Sequence, residues 1–592
     1  TVECIAFELD LVELGLVELG CPMRLALVQL NPTVGDLDGN AARLRERLAE
    51  AQDGGAELVV FPELSLTGYP PRDLLLEQEF VAACVERAEA IASVSTHATV
   101  VFGTPMPTEH GGITNSLLAC RDGRVIARYN KRLLPTYDVF DEDRYFTAGD
   151  EAVVIDVPTS HGAVRTGLAV CEDLWKGEDA GFAWRYRHAA DPVEALVAAG
   201  AELIVSPSAS PFVLGKGLKH HAILRAHASE RGVAVAGVNQ VGGNDDLVFD
   251  GHAAVYDAVG RLVGAGPGFV ERVVTVDLGA DLGRSTPEEA DPRIAASAPA
   301  LVFGALRLGV ADYLRKTGFS KVIIGLSGGI DSAVTAAIAV AALGADNVLG
   351  VSMPGPYSSE GSKTDAFELA ERMGVRCVSV PIAGAMEGFG APLDAAFAEL
   401  GERALGAARP DVTEENLQSR ARGTIVMALA NRMNALVLTT GNKSELAVGY
   451  CTLYGDMNGG LAVLSDVTKK LVYDLARWIN DEHDKAGFEL PPIPESTITK
   501  PPSAELAPGQ KDSDSLPDYD VLDEIVRRRV EARESVATIV RETGFDRAVV
   551  KRIARLVDVN EYKRRQAATG LKVTSVAFGA GRRMPIARGW WP

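Results

Sequence analysis

At 592 residues the chain exceeds the size at which a single hydrophobic core stops growing, about 250–300 residues, so it holds more than one domain. An apolar content of 47%, with glycine and proline spread throughout, excludes a disordered chain and fits a globular α/β protein. A net charge of −21 excludes the basic face that a nucleic-acid binder needs. It does not exclude small anionic substrates, which backbone N–H groups, lysines and Mg2+ can hold locally.

Residues 1–22 carry a near-repeat, Leu11-Val-Glu-Leu-Gly15 followed by Leu16-Val-Glu-Leu-Gly20, with acidic flanks. A secretory signal needs a positive amino-terminal region, and this segment has none. It reads as an atypical extension, with the folded protein expected to begin at Met23. Seven cysteines (Cys4, Cys21, Cys84, Cys120, Cys171, Cys377 and Cys451) are scattered, odd in number and free of CxxC spacing. That pattern fits a reducing cytoplasm and argues against disulfides or structural zinc. No run of eighteen uncharged apolar residues occurs, so no membrane span is expected.

From Met23 to Asp277 predicted strands and helices alternate. Apolar runs at 24–30, 58–62, 99–103, 166–170, 203–206 and 233–238 read as strands, and 39–53, 80–93 and 217–231 read as helices. Three residues stand just past strand ends: Glu63 in Val60-Phe-Pro-Glu-Leu-Ser, Lys131 in Tyr129-Asn-Lys-Arg, and Cys171 in Ala169-Val-Cys-Glu-Asp-Leu-Trp175. Taken singly, each has a plainer reading as a core thiol, a cap or a solvated charge. Together they resemble the Glu-Lys-Cys triad of the nitrilase (carbon–nitrogen hydrolase) superfamily, over residues 23–277. The residue types suit that chemistry. A thiolate attacks an amide carbon, Lys131 lowers the Cys171 pKa and stabilises the oxyanion, and Glu63 serves as general base. Similarity to the glutaminases of that superfamily implies that Tyr137, Ser210 and Lys216 hold glutamine. Glu172 is expected either to orient the amide or Lys131, or to be an ion-pair partner.

Residues 278–299 are polar and proline-containing and read as a linker; a helix at 300–317 then opens a second α/β domain, 300–592. Its first strand, Lys321-Val-Ile-Ile-Gly325, runs into Leu326-Ser-Gly-Gly-Ile-Asp-Ser332 and a helix. Strand, glycine-rich turn and helix start make an anion site, with Ser327 and Ser332 as phosphate partners and Asp331 as a Mg2+ ligand. The GxxxxGK[ST] pattern is absent, which turns the reading away from γ-phosphate chemistry. The loop resembles the pyrophosphate loop of N-type ATP pyrophosphatases, which split ATP between the α and β phosphates.

Further motifs occur in the order seen in NAD+ synthetases: Glu414 to Gly423, Leu438-Thr-Thr-Gly-Asn-Lys-Ser-Glu445, Gly455-Asp456, Leu464 to Lys470, Lys500 to Leu506, Gln510 to Asp514, and Glu561-Tyr-Lys-Arg-Arg565. The resemblance implies that Gly325, Leu326, Ser327, Gly328, Gly329, Ile330, Asp331 and Ser332, with Thr440 and Lys469, bind ATP. It implies that Asp331 and Glu445 ligate Mg2+, and that Asn416, Glu445, Tyr450, Cys451, Thr452, Leu453 and Lys563 contact deamido-NAD+. Plainer readings stay open here: Lys469 with Lys470 as a solvated helix face, Glu445 as a helix-start cap, and 504–515 as a linker. Segment 491–520 is expected to order over substrate, and most of the basic charges after Lys551 are expected to be solvated.

The two resemblances together imply a nitrilase-like α-β-β-α sandwich followed by a doubly wound parallel-sheet domain of the ATP-pyrophosphatase type (adenine nucleotide alpha hydrolase-like). They imply a cytoplasmic ligase that amidates deamido-NAD+ through an adenylated intermediate, with ammonia from glutamine channelled between domains. No transition metal, flavin or haem, no nucleic acid and no membrane is implied, and a homo-oligomer is expected. Two other readings are compatible with parts of the chain. One is a different amidotransferase of the ATP-pyrophosphatase class; the other is an amidase with a regulatory adenylate-binding half.

Overall fold

Hydrophobic alternation along the first strand sets the layering of the amino-terminal half. The structure, a computed structural model, describes residues 23–178, 180–279, 296–406 and 410–591. Segment 1–22 and most of the expected linker 278–299 lie outside the described residues. The chain divides into two units: residues up to Gly242 with Phe249–Ala296, and Gly243–Val248 with Ser297–Pro592.

In strand Met23–Gln29, side chains Met23, Leu25 and Leu27 enter a core shared with Leu203, Val205, Val235 and Val255. The alternate residues Ala26 and Val28 enter a different core, against Leu44, Leu48, Cys84 and Ile91 of helices Leu37–Asp53 and Gln78–Ala92. A period of two therefore places one sheet face on the other sheet and the opposite face on helices. Each sheet has six strands. The first runs, edge to edge, Arg272–Leu278, Met23–Gln29, Leu58–Val60, Thr99–Pro107, Ile113–Arg121, Arg124–Asn130. The second runs Leu262–Ala265, Ala254–Tyr256, Ala234–Asn239, Leu203–Ser208, Gly162–Leu168, Val154–Thr159. Helix Lys216–Arg231 packs on the second sheet through Leu224 and Ala228. The result is the expected α-β-β-α sandwich.

The central strands are parallel, 23–29 with 58–60 and 99–107 in one sheet, 162–168 with 203–208 and 234–239 in the other. Residues just past their carboxyl ends accordingly gather at one rim of each sheet. The antiparallel hairpins around them, such as 113–121 with 124–130, were not read from sequence.

The second unit carries a six-stranded parallel sheet in the order Arg376–Ser379, Val348–Ser352, Val322–Gly325, Leu436–Thr439, Leu461–Ala462, Thr569–Gly570. Strand Val322–Gly325 is paired on both sides, and the chain reverses directly after it into helix Ile330–Leu343. That helix starts three residues earlier than its apolar run suggests, inside the phosphate-loop motif itself. Segment 491–520 contains a short helix, Glu495–Thr499, and a 3-10 turn, Asp512–Asp514. Most of the basic tail is solvated as expected, with Lys551, Arg552, Arg555, Arg565 and Arg583 exposed, but Arg564 and Lys572 are buried, and Arg564 donates to the Leu446 and Ala447 carbonyls. Those charges cap backbone groups and do not face solvent.

Gly103 has a steric reason. A Cβ there would lie 2.2 Å from the Leu64 backbone nitrogen, directly beneath the turn carrying Glu63. Gly103→Ala should destabilise the first unit by about 1–3 kcal/mol, seen by calorimetry as a lower unfolding temperature. Gly388→Ala, in helix Ala383–Leu400 where a Cβ meets nothing within 4 Å, should be neutral or slightly stabilising.

Candidate functional site

At the rim of the first unit, three strand ends converge on one ammonium group. Lys131 Nζ donates to Glu63 Oε1 at 2.7 Å and to Glu142 Oε1 at 2.8 Å. Asn115 Nδ2 donates to Glu63 Oε1 at 2.7 Å, the Ala209 N–H donates to Glu63 Oε2 at 2.9 Å, and Tyr69 OH donates to Glu142 Oε1 at 2.9 Å. Lys131 and Glu63 are each 1% exposed and Cys171 is 3% exposed. Burial opposes the Lys131 charge, but Glu142 and Glu63 outweigh it and hold the ammonium protonated. One ammonium cannot neutralise two buried carboxylates, so burial and the Glu63 charge push Glu142 up to about 7.

Cys171 follows strand Gly162–Leu168 at an elbow with φ +42° and ψ −97°, outside the region L-residues favour. Its N–H donates to Pro207 O at 3.0 Å. The fully buried Asp173 staples this elbow to the Lys131 segment: Oδ2 accepts from the Val170 N–H and Tyr129 OH, and Oδ1 from the Leu133 and Arg132 N–H groups, at 2.7–3.2 Å. The pull of Lys131 on the thiol is present, but a net lowering of the Cys171 pKa is not. Burial, then Glu63, raise it well above the ordinary thiol value against the opposing charges of Lys131 and Lys216. At rest Cys171 is thus a thiol beside a buried carboxylate and an ammonium.

Of the residues expected around it, Lys216 Nζ donates to Ser210 Oγ at 2.7 Å and Tyr137 OH donates to Glu172 Oε2 at 2.7 Å. Glu172 is held by this phenol. Glu142 and Asp173 were missed, although Asp173 lies two residues after Cys171 in the quoted motif. Nothing in residue spacing says that residue 142 turns back to residue 131.

The second unit repeats the arrangement. Lys469 Nζ donates to Asp331 Oδ2 at 2.5 Å and Glu445 Oε1 at 3.1 Å, and Asn442 Nδ2 donates to Asp331 Oδ1 at 2.8 Å. Lys469 is 3% exposed, which excludes the solvated-face reading; Lys470 is exposed and pairs with Asp520. Glu445 does cap its helix, Lys443–Val448, and also points into this cluster. Burial, with Asp331 and Asp512 nearby, raises Glu445 to about 7 against the pull of Lys469. Asp512, buried and bonded by Tyr519 OH at 2.7 Å, is a further acid that sequence reading passed over. Asp456, quoted in the Gly455-Asp456 motif but given no role there, is raised by burial to about 6.

The cluster opens into a cavity of about 280 Å3. Leu326, Ser327, Gly329, Ile330, Asp331 and Ser332 line it, with Thr440, Glu445, Tyr450 and Lys469. Residues 500–506 of the long segment form another wall. Among the deamido-NAD+ candidates, Asn416 accepts from Thr452 Oγ1 at 2.7 Å, and Lys563 Nζ donates to the Gly449 and Cys451 carbonyls, both at 2.8 Å. These residues shape the 449–453 turn from behind. Among the described residues no group of three or more His, Cys, Asp or Glu is spaced to hold a metal ion. The Asp331 and Glu445 oxygens nonetheless fit Mg2+, which takes one or two carboxylates and completes its shell with water and phosphate.

The two units have recognisable relatives. Residues 24–288 match the carbon–nitrogen hydrolase family and residues 302–567 match the NAD synthase family. Fold and sites thus define a carbon–nitrogen hydrolase unit joined to an NAD synthase unit. The chain is 45% identical to the glutamine-dependent NAD(+) synthetase of Synechocystis sp. over 96% of its own length and 99% of the relative's. It is 42% identical to the Acinetobacter baylyi enzyme of that name, again over 96% and 99%. The solved glutamine-dependent NAD+ synthetase from Acinetobacter baumannii in complex with ADP aligns with a TM-score of 0.73 at 39% identity, covering 96% of this chain and 98% of that one. This chain belongs to the glutamine-dependent NAD(+) synthetase family.

The raised Glu142 pKa has a thermodynamic consequence. Between pH about 4.5 and 7 the folded state binds the proton that the unfolded state has released. Its contribution is therefore full below pH 4.5 and is lost as pH rises through 7. The unfolding free energy of the parent should fall relative to that of Glu142→Gln across this window, by on the order of 1–3 kcal/mol, measured by denaturant titration at a series of pH values.

Proposed function

We propose that the chain makes NAD+ from deamido-NAD+ by hydrolysing glutamine in its first unit and consuming the ammonia in its second, with ATP converted to AMP and pyrophosphate. The observation that supports this best is the pairing, in one chain, of a buried cysteine–lysine–carboxylate constellation with a phosphate-loop cleft whose acids converge on Lys469.

Glu63 takes the proton from Cys171 Sγ as the sulfur attacks the amide carbon of glutamine. Lys131, held charged by its two carboxylates, faces the oxyanion that develops. Ammonia leaves, and Glu63 then activates the water that cleaves the thioester to glutamate. Tyr137, Ser210, Lys216 and Glu172 orient the amino-acid end.

In the second unit, loop 325–332, Thr440 and Lys469 hold the ATP phosphates. Asp331 and Glu445 would hold Mg2+, which supplies charge neutralisation on the phosphates when bound. Asn416, Tyr450, Cys451, Thr452, Leu453 and Lys563 shape the site for deamido-NAD+. The nicotinate carboxylate attacks the α-phosphorus to give an acyl adenylate, and ammonia displaces AMP. At neutral pH free ammonia is mostly the non-nucleophilic ammonium ion, so direct transfer from one unit to the other serves the chemistry. We place the enzyme in the cytoplasm as a homo-oligomer; among the described residues no helix is long and apolar enough to cross a membrane.

Cys171→Ala should abolish NAD+ formation from glutamine and retain it from ammonium salts; continued use of glutamine would refute the first-unit assignment. Asp331→Ala should abolish synthesis from both donors, a loss of at least about a hundredfold, while glutamate release persists. Both outcomes are read by coupled assays for NAD+ and glutamate.

A further inference from the structure

The hydrolase site is closed in this structure: Cys171, Glu172 and Ser210 are each 2–3% exposed, so glutamine reaches the thiol only if something over it moves. Residues 180–191 are almost wholly solvent-exposed, with two large side chains turned inward. Phe182 lies flat on Tyr137, ring centroids 4.5 Å apart with an interplanar angle of 6°. Tyr186 buries its hydroxyl against the Glu172 carboxylate, whose charge, after burial, holds the phenol protonated. Glu172 therefore has phenols on two sides, Tyr137 from the body of the unit and Tyr186 from the exposed segment.

The ends of the segment are built differently from its middle. At its far end Asp191 caps helix Pro192–Ala198 and accepts from Lys176 Nζ at 2.9 Å and Arg231 Nη2 at 3.3 Å, a fixed post. At its near end Lys176, Gly177 and Gly181 have φ of +46°, +68° and +77°, a set of turns in which glycine supplies the freedom. Between them the described holds on the body include the Phe182 stack, the buried Tyr186 hydroxyl near Glu172, and Arg185 on Thr136 and Asp143. These are few, separate and surface-mounted contacts, the kind that open locally at low free energy.

We propose that residues 180–191 are a gate on the glutaminase site, and that Phe182 and Tyr186 complete, on closure, the acidic seat that receives the α-ammonium group of glutamine at Glu172. The gate pivots about the fixed post at Asp191 and the turns at Lys176, Gly177 and Gly181. Tyr186 fixes the Glu172 carboxylate toward the amino acid, and the Phe182–Tyr137 stack latches the segment. The inference rests on the glutaminase reading above and adds to it the element that admits substrate and the residues that recognise it.

Alkylation of Cys171 by iodoacetamide, followed by peptide mass spectrometry, reads the gate directly, with the core thiols Cys84 and Cys120 as internal references. Phe182→Ala and the bulk-preserving Phe182→Leu should each speed Cys171 alkylation roughly three- to tenfold, the worth of one aromatic pair, and leave the reference thiols unchanged. The buried Tyr186 hydroxyl has no hydrogen bond in this structure and would bond the Glu172 charge only once the amino acid is seated, so Tyr186→Phe should raise the glutamine KM about tenfold or more with kcat changed less. Ammonium-driven synthesis should be unaltered in all three. Unchanged Cys171 alkylation in both Phe182 variants overturns the gate, and an unchanged glutamine KM in Tyr186→Phe overturns the recognition role. If Cys171→Ala itself still uses glutamine, the glutaminase reading fails; if it does not and the gate variants match the parent, the gate alone fails.

Discussion

A buried ammonium shared by two carboxylates is the constraint on which each half of this molecule depends. Lys131 between Glu63 and Glu142, and Lys469 between Asp331 and Glu445, are both nearly inaccessible to water. In low dielectric such a group is tolerated only when its charge is met at short range. In both units the strand ends and turns are arranged to meet it. Each cluster also holds more acid than base, and the surplus appears as a raised carboxyl pKa, about 7 at Glu142 and at Glu445. In the second cluster, the surplus negative charge makes a good seat for a divalent cation carrying phosphate.

Neither cluster stands unsupported. In the hydrolase unit the Cys171 elbow sits in a sparsely populated backbone region, a conformation costing about 1–3 kcal/mol that persists only where its surroundings over-determine it. Asp173 does that by accepting four hydrogen bonds from residues beside Cys171 and beside Lys131, which ties the two segments together. In the synthase unit Lys443 plays the equivalent part beneath Glu445. It is fully buried, 2.9 Å from Asp466 and 3.0 Å from Glu531, and Asp466 also accepts from the Val573 and Thr574 N–H groups. The carboxy-terminal segment is thereby clamped under the helix that presents Glu445.

The two units treat their substrates differently. The Cys171 thiol is almost inaccessible to solvent, 3% exposed. The nucleotide site is an open cleft, with its wall at 500–506 pinned through Glu505 to Ser359 and Ser362. A large, highly charged nucleotide needs such a cleft, whereas a small amino acid can be enclosed.

The linear chain determined a good deal. Period-two alternation at 24–30, the strand–loop–helix signature at 321–343 and the positions of Glu63, Lys131 and Cys171 past strand ends are local facts, and local hydrophobic pattern carries them. The layered sandwich, the parallel sheet and the family followed from those facts and their order. What only the tertiary structure decided are meetings between residues far apart in sequence: Glu142 turning back to Lys131, Asp173 joining two strand ends, Asp512 joining the Lys469 cluster, and Tyr186 reaching Glu172 from an exposed segment. It also decided a sign that sequence reasoning had the other way, a thiol pKa raised where its lysine neighbour alone would lower it, and it singled out Arg564 and Lys572 as buried within a tail that is otherwise mostly exposed. The physical reason is common to all of these. Burial and charge–charge energies depend on distance through space, and spacing along the chain records that distance only within a helix, a strand or a turn.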